Sequence, residues 1–208
     1  MLLREGDLVL FQGDSVTDTH RERENNASLG SGYAMMAASW FAALHPEVKV
    51  RFINRGISGN RTKDLKDRWE VDCIQLRPTV VSILVGINDC WRRFDSNDPT
   101  TTAEFEANYR FLLERLQETE VRQIILCEPF VLPFPEDRRQ WREDLDPKIG
   151  VVRDLAREFH TLLLPLDAIF HRAAVERPPQ FWVPDGVHPS EAGHALIAKE
   201  WLRTLKCF

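Results

Sequence analysis

Residues 8–15 read LVLFQGDS, an unbroken run of apolar residues followed by a short polar turn. A short, wholly apolar run that ends in turn residues is typical of a strand buried on both faces, as in parallel sheets. Similar runs return along the chain, and longer segments with the spacing of amphipathic helices lie between them. This alternation of strand and helix predicts an α/β fold with a mainly parallel sheet.

Five strands and five long helices account for most of the pattern. The predicted strands are Leu8–Phe11, Val48–Ile53, Val80–Val85, Ile124–Cys127 and Leu162–Leu166. The predicted helices are Tyr33–Leu44, Thr62–Gln75, Thr102–Gln117, Lys148–His160 and Glu191–Leu205. The second strand alternates apolar and polar residues, which favours a place nearer an edge of the sheet. We therefore expect a single domain over residues 1–208, a three-layer α/β/α sandwich with a five-stranded, mainly parallel sheet.

Composition limits the classes of partner. Apolar residues make up 43% of the chain and charged residues 28%, with a net charge of -5, as in ordinary globular proteins. The acidic balance disfavours nucleic acid, which needs a concentrated basic face. No run approaches the roughly 18 apolar residues of a membrane span. Charged residues near the N-terminus argue against a signal peptide, so we expect a cytoplasmic protein with no membrane partner. The scattered cysteines are expected to be reduced and mostly buried.

A serine follows the first predicted strand, in the segment Gly13–Asp18. Sites in parallel sheets form beyond the carboxyl ends of the strands, so Ser15 is placed where a crevice is expected. A serine in that position is nevertheless most often a turn residue or a helix N-cap. A role as nucleophile requires a base within hydrogen-bond reach, itself oriented by a third group.

The best candidate for the base is His188, in the segment WVPDGVHP at residues 182–189. Asp185 precedes it by three residues in a turn that contains Pro and Gly, so the carboxylate can hold one ring nitrogen while the other faces the serine. A solvated Asp and His in the loop before a helix is the alternative interpretation. The remaining histidines lie in charged or helical stretches and are interpreted as surface or packing residues: His20, His45, His160, His171 and His194.

Two further segments offer hydrogen-bond donors for an oxyanion. Gly59 lies in NRGISGN at residues 54–60, where the missing side chain lets a substrate oxygen approach the backbone. Asn88 lies in Gly86–Asp89 directly after the third strand, where its amide can face the same crevice. A turn glycine and a helix cap are the alternative interpretations. All four segments fall where one crevice is expected to form.

Ser15, Gly59, Asn88 and His188 match, in order, the four residues after which the SGNH (GDSL-like) hydrolases are named. The chain resembles this superfamily over essentially its whole length, apart from Val16 where the GDSL motif has Leu. The resemblance implies a flavodoxin-like SGNH fold and a serine esterase that needs no cofactor and no metal. It implies that Ser15 attacks the acyl carbonyl, that His188 acts as base and then acid, and that Asp185 orients it. The Ser15 and Gly59 N–H groups and the Asn88 amide would form the oxyanion hole.

Longer strings in the sequence resemble the cytoplasmic acetylxylan esterases of this superfamily. The strings are Gly13–Asp18, Asn54–Asn60, Asp67–Trp69, Gly86–Arg92 and Asp185–His194. This resemblance implies removal of acetyl groups from xylo-oligosaccharides by what is often a homo-oligomer. Trp91 and Trp182 are candidate sugar-stacking residues, with core packing as the alternative. The charged connection Glu128–Pro147 is a predicted long loop whose role, like that of Trp141 within it, the sequence leaves open.

Other classes fit less well. No GxGxxG or GxxxxGK[ST] motif follows the first strand, which disfavours nucleotide binding. No HExxH pair or Cys/His cluster has metal-ligand spacing. A binding protein without activity is disfavoured by the complete Ser15, His188 and Asp185 set. Within the enzymes, a lipid-directed esterase, thioesterase or lysophospholipase remains the alternative, because fold and triad do not fix the acyl group.

Overall fold

The computed structural model describes all residues, 1–208. Its strands are β1 (Leu8–Gly13), β2 (Arg51–Asn54), β3 (Val80–Leu84), β4 (Gln123–Cys127) and β5 (Leu162–Leu164). They form one sheet in the order β2-β1-β3-β4-β5, and every neighbouring pair is parallel. The predicted five-stranded parallel sheet is confirmed, and β2 lies at an edge as its alternating pattern predicts.

Helices connect successive strands and cover both faces of the sheet. They are α1 (Ser15–Asp18), α2 (Tyr33–Leu44), α3 (Thr62–Asp72), α4 (Ile87–Asp95), α5 (Thr102–Gln117), α6 (Arg142–Glu158), α7 (Leu166–Glu176), α8 (Pro179–Trp182) and α9 (Glu191–Thr204). Two 3₁₀ turns cover Ile74–Leu76 and Glu136–Arg139. The five predicted helices are all present, although α3, α6 and α9 end earlier than predicted. The helices α1, α4, α7 and α8 were not predicted.

The two faces of the sheet carry separate hydrophobic cores. Val9 and Phe11 of β1 point toward a cluster that includes side chains of α2, α7 and α9. Leu10 points the other way, toward a cluster that includes side chains of α3, α5 and α6. Successive residues of a strand face opposite sides, so a wholly apolar β1 can be buried on both. Each fully buried side chain of this size stabilises the fold by roughly 1.5–3 kcal/mol, and the resulting layers are those of an α/β/α sandwich.

The predicted strand Leu162–Leu166 is wrong at its end. The strand stops at Leu164, and Leu166 instead begins helix α7. Pro165 between them lacks an N–H and cannot continue the ladder of hydrogen bonds, whereas its fixed φ suits the start of a helix.

The predicted long loop Glu128–Pro147 is also wrong in part, because α6 begins at Arg142 and contains Pro147. A proline inside a helix typically costs about 3 kcal/mol, which is why the sequence pattern placed the helix start later. Trp141, Leu145 and Ile149 pack together in a third buried cluster beside the sheet. This packing of the first turns of α6 outweighs the local preference.

Candidate active site

The turn after β1 positions Ser15. The Asp14 side chain caps the short helix α1 by accepting a hydrogen bond from Val16 N–H at 3.1 Å. Gly13 leaves no room for a side chain, because a Cβ there would lie 2.3 Å from the Leu84 carbonyl oxygen. The chain therefore turns sharply at the end of the strand and presents Ser15, half-buried, at the carboxyl edge of the sheet.

Ser15, His188 and Asp185 form one chain of hydrogen bonds. Ser15 Oγ lies 3.1 Å from His188 Nε2, and His188 Nδ1 lies 2.6 Å from Asp185 Oδ2. An ionised carboxylate only accepts, so Nδ1 carries the proton toward Asp185 and Nε2 is left to accept from the Ser15 hydroxyl. Asp185 Oδ1 also accepts from the backbone N–H groups of Val187 and His188, at 2.9 and 2.7 Å. The turn predicted from sequence thus fixes the carboxylate against the ring.

The electrostatics match this arrangement. Partial burial raises the pKa of Asp185. The hydrogen bonds from the His188 ring and from the two backbone N–H groups have the larger, opposite effect, and the pKa is lowered to about 2. Asp185 is therefore ionised at neutral pH. The hydrogen bond to Asp185 is the largest cause that raises the pKa of His188 above its ordinary 6.5, and partial desolvation opposes it. The ring is thus a stronger base than a free histidine.

Two buried carboxyl groups flank the site. Burial raises the pKa of Asp14, next to Ser15, to about 7. Burial likewise raises the pKa of Asp89, next to Asn88, to about 6, although hydrogen bonds from Thr62 act in the opposite direction. Buried groups with such shifts are concentrated at functional sites.

Three donors with free N–H groups lie on the segments that sequence analysis selected for the oxyanion. The backbone N–H groups of Ser15 and Gly59 donate to no protein acceptor. Asn88 Nδ2 donates one hydrogen bond, to the Asn60 carbonyl at 3.1 Å, and retains a second N–H. Gly59 has a φ of +86°, and a side chain there would meet no atom within 4 Å. The backbone at Gly59 is therefore both of a type that favours glycine and open to an approaching ligand.

Hydrogen bonds clamp the loops that carry these donors. Asp89 accepts from the Thr62 hydroxyl at 2.7 Å and from Thr62 N–H at 3.1 Å, which joins the first turn of α4 to the first turn of α3. Ser58 donates twice to Asp18, through N–H at 2.9 Å and the hydroxyl at 3.0 Å, which joins the Gly59 loop to α1. All three donor segments are thus fixed relative to one another by buried or half-buried polar contacts.

A cleft of about 330 Å³ opens beside the serine and the imidazole. One hydrophobic residue, Val16, lines it, and the other lining residues are Ser15, Thr19, His20, Ser58, His188, Pro189 and His194. Burial lowers the pKa of His194 to about 4, and its Nδ1 accepts from Tyr33 N–H at 3.2 Å. His194 is consequently a neutral packing residue, as expected from sequence.

Comparison with known proteins identifies the family of the chain. Residues 11–196 match the model of the GDSL-like lipase/acylhydrolase family. The chain belongs to this family. It is 36% identical to an acetylxylan esterase from Geobacillus stearothermophilus, over 99% of this chain and 96% of the relative. The crystal structure of the acetylxylan esterase from that organism superimposes with a TM-score of 0.90, with the same identity and coverage. An alpha/beta hydrolase from the metagenome of Lake Arreo, Spain, is 31% identical, with a TM-score of 0.92 and coverage of 100% and 98%.

This GDSL-like protein is a carboxylic ester hydrolase with the α/β fold of its family. No group of three or more His, Cys, Asp or Glu side chains is arranged to hold a metal ion. No helix has the length and apolar character needed to cross a bilayer.

The structure separates the two tryptophans that sequence analysis selected for substrate. The Trp91 ring of the esterase lies 5.9 Å from the His188 ring, between centroids, and is half-buried. Trp182 instead donates its indole N–H to the Ala173 carbonyl at 3.0 Å and packs, partly buried, against the core cluster that includes side chains of α7 and α9. Of the two, Trp91 is the one whose ring lies beside His188. The fully packed Trp141 supports it from behind, at a centroid distance of 5.2 Å.

Sequence reasoning missed the residues that hold the site together. Arg68 donates to the Asn60 side chain at 2.8 Å, to Gln12 at 2.9 Å and to the Gly13 carbonyl at 3.3 Å. It thereby ties the end of β1 to the Gly59 loop. The available signal was a charged residue at a buried face of a helix, because arginine at such a position usually has fixed partners. Arg138, in the segment predicted as a loop, was missed as well.

Proposed function

We propose that Ser15 is the nucleophile, His188 the general base and acid, and Asp185 the group that orients and stabilises the imidazole. One observation carries this proposal: the unbroken hydrogen bonds from Ser15 Oγ to His188 Nε2 and from His188 Nδ1 to Asp185 Oδ2. A serine becomes a useful nucleophile near neutral pH when an adjacent base takes its proton. The raised pKa of His188 supports this role.

In the first half of the reaction, Ser15 Oγ bonds to the carbonyl carbon while its proton moves to His188 Nε2. The carbonyl oxygen becomes an oxyanion, and we assign its stabilisation to the free N–H groups of Ser15, Gly59 and Asn88. Collapse of the tetrahedral intermediate breaks the bond to the alcohol oxygen, which takes the proton from His188. The alcohol departs and an acyl-Ser15 ester remains.

In the second half, water attacks the acyl-Ser15 carbonyl while His188 takes one of its protons. A second tetrahedral intermediate uses the same donors. When it collapses, the bond to Ser15 Oγ breaks and His188 returns the proton to that oxygen, so the carboxylic acid is released and the enzyme is regenerated. Asp185 stays ionised throughout because its pKa, about 2, lies far below that of the imidazole.

We further propose that the acyl group is acetyl and that the alcohol is a xylo-oligosaccharide. The similarity to an acetylxylan esterase over nearly the whole chain supports this substrate class. The cleft supports a short acyl group, because Val16 is its single hydrophobic lining residue. A long acyl chain gains affinity by burying apolar surface, at roughly 25 cal/mol per Å², and this lining offers little of it.

The decisive experiment compares rates of hydrolysis across acyl groups and alcohols. Acetate, butyrate and octanoate esters of one chromogenic alcohol should show acetate cleaved fastest and octanoate hardly at all. Acetate release from acetylated xylobiose or xylotriose, followed by NMR, should exceed hydrolysis of an octanoyl ester and of an acyl thioester under the same conditions. Faster turnover of either of the latter would replace the sugar ester with a lipid-directed esterase or thioesterase. The cytoplasmic location and the homo-oligomer expected from sequence stay predictions.

A further inference from the structure

The Arg138 side chain occupies an unusual position beside the proposed catalytic histidine. Its guanidinium carbon lies 4.1 Å from the Trp141 ring centroid and 5.4 Å from that of Trp91. A guanidinium over an indole face is held by electrostatic attraction as well as by packing. Only 15% of the side chain is exposed, so the charge is fixed in place rather than free in solvent.

Most donors of this guanidinium have no protein partner. Nη1 donates to the Asp137 carboxylate at 2.5 Å, and this carboxylate is itself largely exposed. Nη2 donates to no protein atom, and Nε is buried without any hydrogen-bond partner. A buried donor without a partner is costly and is uncommon in folded proteins, so each instance calls for an explanation. The ion pair with Asp137 therefore does not explain why the Arg138 guanidinium is held here with its other N–H groups unpaired.

Local packing joins Arg138 to the turn that carries the proposed base. Leu132 N–H donates to the Gly186 carbonyl at 2.9 Å, between Asp185 and His188 in the sequence. A Cβ at Gly186 would lie 3.2 Å from Arg138 Cγ, so the arginine stem lies directly against that turn. The Trp91 ring links Arg138 to the proposed base, because its centroid lies 5.4 Å from the Arg138 guanidinium carbon and 5.9 Å from the His188 ring centroid.

We propose that Arg138 binds the alcohol part of the ester, by donating hydrogen bonds to hydroxyl or ring oxygens of a sugar whose face packs against Trp91. This inference rests on the proposed function of Ser15 and His188. The leaving alcohol must accept a proton from His188, so it lies on the imidazole side of the site, where Arg138 and Trp91 are found. A fixed, planar group with several N–H donors suits the adjacent oxygens of a sugar, and an indole face suits its C–H surface.

The test uses two ring acetates of similar size that differ in oxygen content: a monoacetylated methyl xyloside and cyclohexyl acetate. Arg138→Met retains length and apolar packing on the indoles but removes the donors. We expect kcat/KM for the xyloside ester to fall about ten- to a hundredfold, as for loss of a charge-assisted hydrogen bond, mainly through KM. For cyclohexyl acetate the expected change is less than about threefold. Arg138→Lys should give an intermediate loss on the xyloside, because charge remains without the planar fork.

Arg139→Met is the matched control. Arg139 belongs to the same 3₁₀ turn but is largely exposed and pairs with Glu136, so neither ester should be affected. Equal loss on both esters in Arg138→Met would indicate a purely structural role for Arg138 and would overturn the inference, as would an equal effect of Arg139→Met.

An acetylated glucoside is included as a third ester. If wild-type enzyme cleaves the glucoside and not the xyloside, the xylan proposal fails while the inference on Arg138 is tested on the glucoside. If the wild-type enzyme cleaves neither sugar ester, the xylan proposal and the inference on Arg138 both fail.

The pH profile supplies a second readout. Asp185 and Asp14 raise the pKa of His188 and Arg138 lowers it, and His194 in the same cleft also interacts electrostatically with His188. Removal of the cation in Arg138→Met should therefore move the acidic limb of kcat/KM to higher pH, measured on cyclohexyl acetate, where binding is unaffected. Arg138→Lys should leave that limb near its wild-type position. An unmoved limb in Arg138→Met would contradict the position of the cation beside His188 and would overturn the inference.

Discussion

Two groups of residues near Ser15 and His188 are held together in different ways. In the first, the loops with Gly59 and Asn88 are tied by hydrogen bonds, including Thr62 to Asp89 at 2.7 Å. In the second, Arg138 and the indoles of Trp91 and Trp141 hold each other by stacking, with donors of the guanidinium left without a partner. We call the first the polar wall and the second the aromatic wall.

This difference corresponds to two different tasks. Stabilising an oxyanion requires donors fixed before the reaction begins, because reorientation during the reaction would consume the energetic gain. Binding the alcohol requires a stacking surface and donors that match the oxygens of that alcohol. Changes in the polar wall should therefore lower kcat for every ester, whereas changes in the aromatic wall should alter kcat/KM according to the alcohol.

The largest expected effect comes from removing the proposed nucleophile. Ser15→Ala should lower kcat by roughly 10⁴-fold or more on every ester, since the attacking oxygen is lost. The fold should persist, because a small change at a half-buried position costs little stability. Initial rates with a chromogenic acetate, together with thermal unfolding, provide the measurement, and Ser39→Ala on the exposed face of α2 is the control. Residual activity above a few per cent would exclude Ser15 as the nucleophile.

The next largest effect tests the polar wall directly. Asn88→Ala should reduce kcat by about a hundred- to a thousandfold with little change in KM, because the lost donor acts mainly in the transition state. The reduction should be equal for acetylated xylobiose and for an aryl acetate. A loss confined to KM would assign Asn88 to substrate binding and would remove the distinction between the walls.

A smaller effect tests the clamp behind that wall. Thr62→Val removes the hydroxyl that Asp89 accepts from while keeping the shape, and it should lower kcat by about three- to thirtyfold on all esters by loosening Asn88 against Gly59. It should also lower the free energy of unfolding by about 1–3 kcal/mol, because a buried carboxyl group loses a partner. Thr204→Val, which removes a hydroxyl bond in α9, is the control for stability without loss of activity. Unchanged kcat in Thr62→Val would contradict the positioning role.

The pH dependence tests the proposed role of His188 as the base. The proposed base must be neutral, and the hydrogen bond to Asp185 raises the pKa of His188 above 6.5, so we expect activity to begin to fall on acidification at a pH above 6.5. Below that pKa the loss should approach tenfold per pH unit. In Asp185→Asn the acidic limb should move to lower pH, alongside a lower maximal rate. Profiles of kcat/KM on one acetate ester measure both, and a wild-type limb below 6.5 would argue against this hydrogen bond in solution.

The smallest effect concerns the aromatic wall. Trp91→Leu should lower kcat/KM about two- to tenfold for acetylated xylobiose and less for a small alkyl acetate, because ring stacking contributes on the order of 0.5–1.5 kcal/mol beyond buried area. Trp182→Leu serves as the contrast: its indole N–H is bonded to Ala173, so it should lower stability without changing the ratio between the two esters. The reverse pattern would return the sugar contact to Trp182.

Much of the fold was predictable because the spacing of apolar residues along the sequence indicates which face of a strand or helix is buried. The apolar run of β1 and the 3.6-residue spacing of Tyr33–Leu44 and Thr102–Gln117 are local signals, and these two helices have the predicted bounds. Helix α6 was misplaced because Pro147 is locally unfavourable in a helix, and only packing between distant segments compensates for it. A local pattern carries no information about that compensation.

The site likewise has features that local sequence indicates and features that depend on contacts between distant segments. Chemistry restricts which residue types can serve as nucleophile, base and donor, and parallel topology places their segments at one edge of the sheet, so Ser15, His188, Gly59 and Asn88 could be selected from the sequence. The distances between Ser15, His188 and Asp185, the clamp from Asp89 to Thr62 and the different surroundings of Trp91 and Trp182 were decided by tertiary structure alone. These contacts join residues far apart in the chain, and whether an arginine or a tryptophan faces solvent, core or ligand depends on those long-range contacts rather than on its neighbours in sequence.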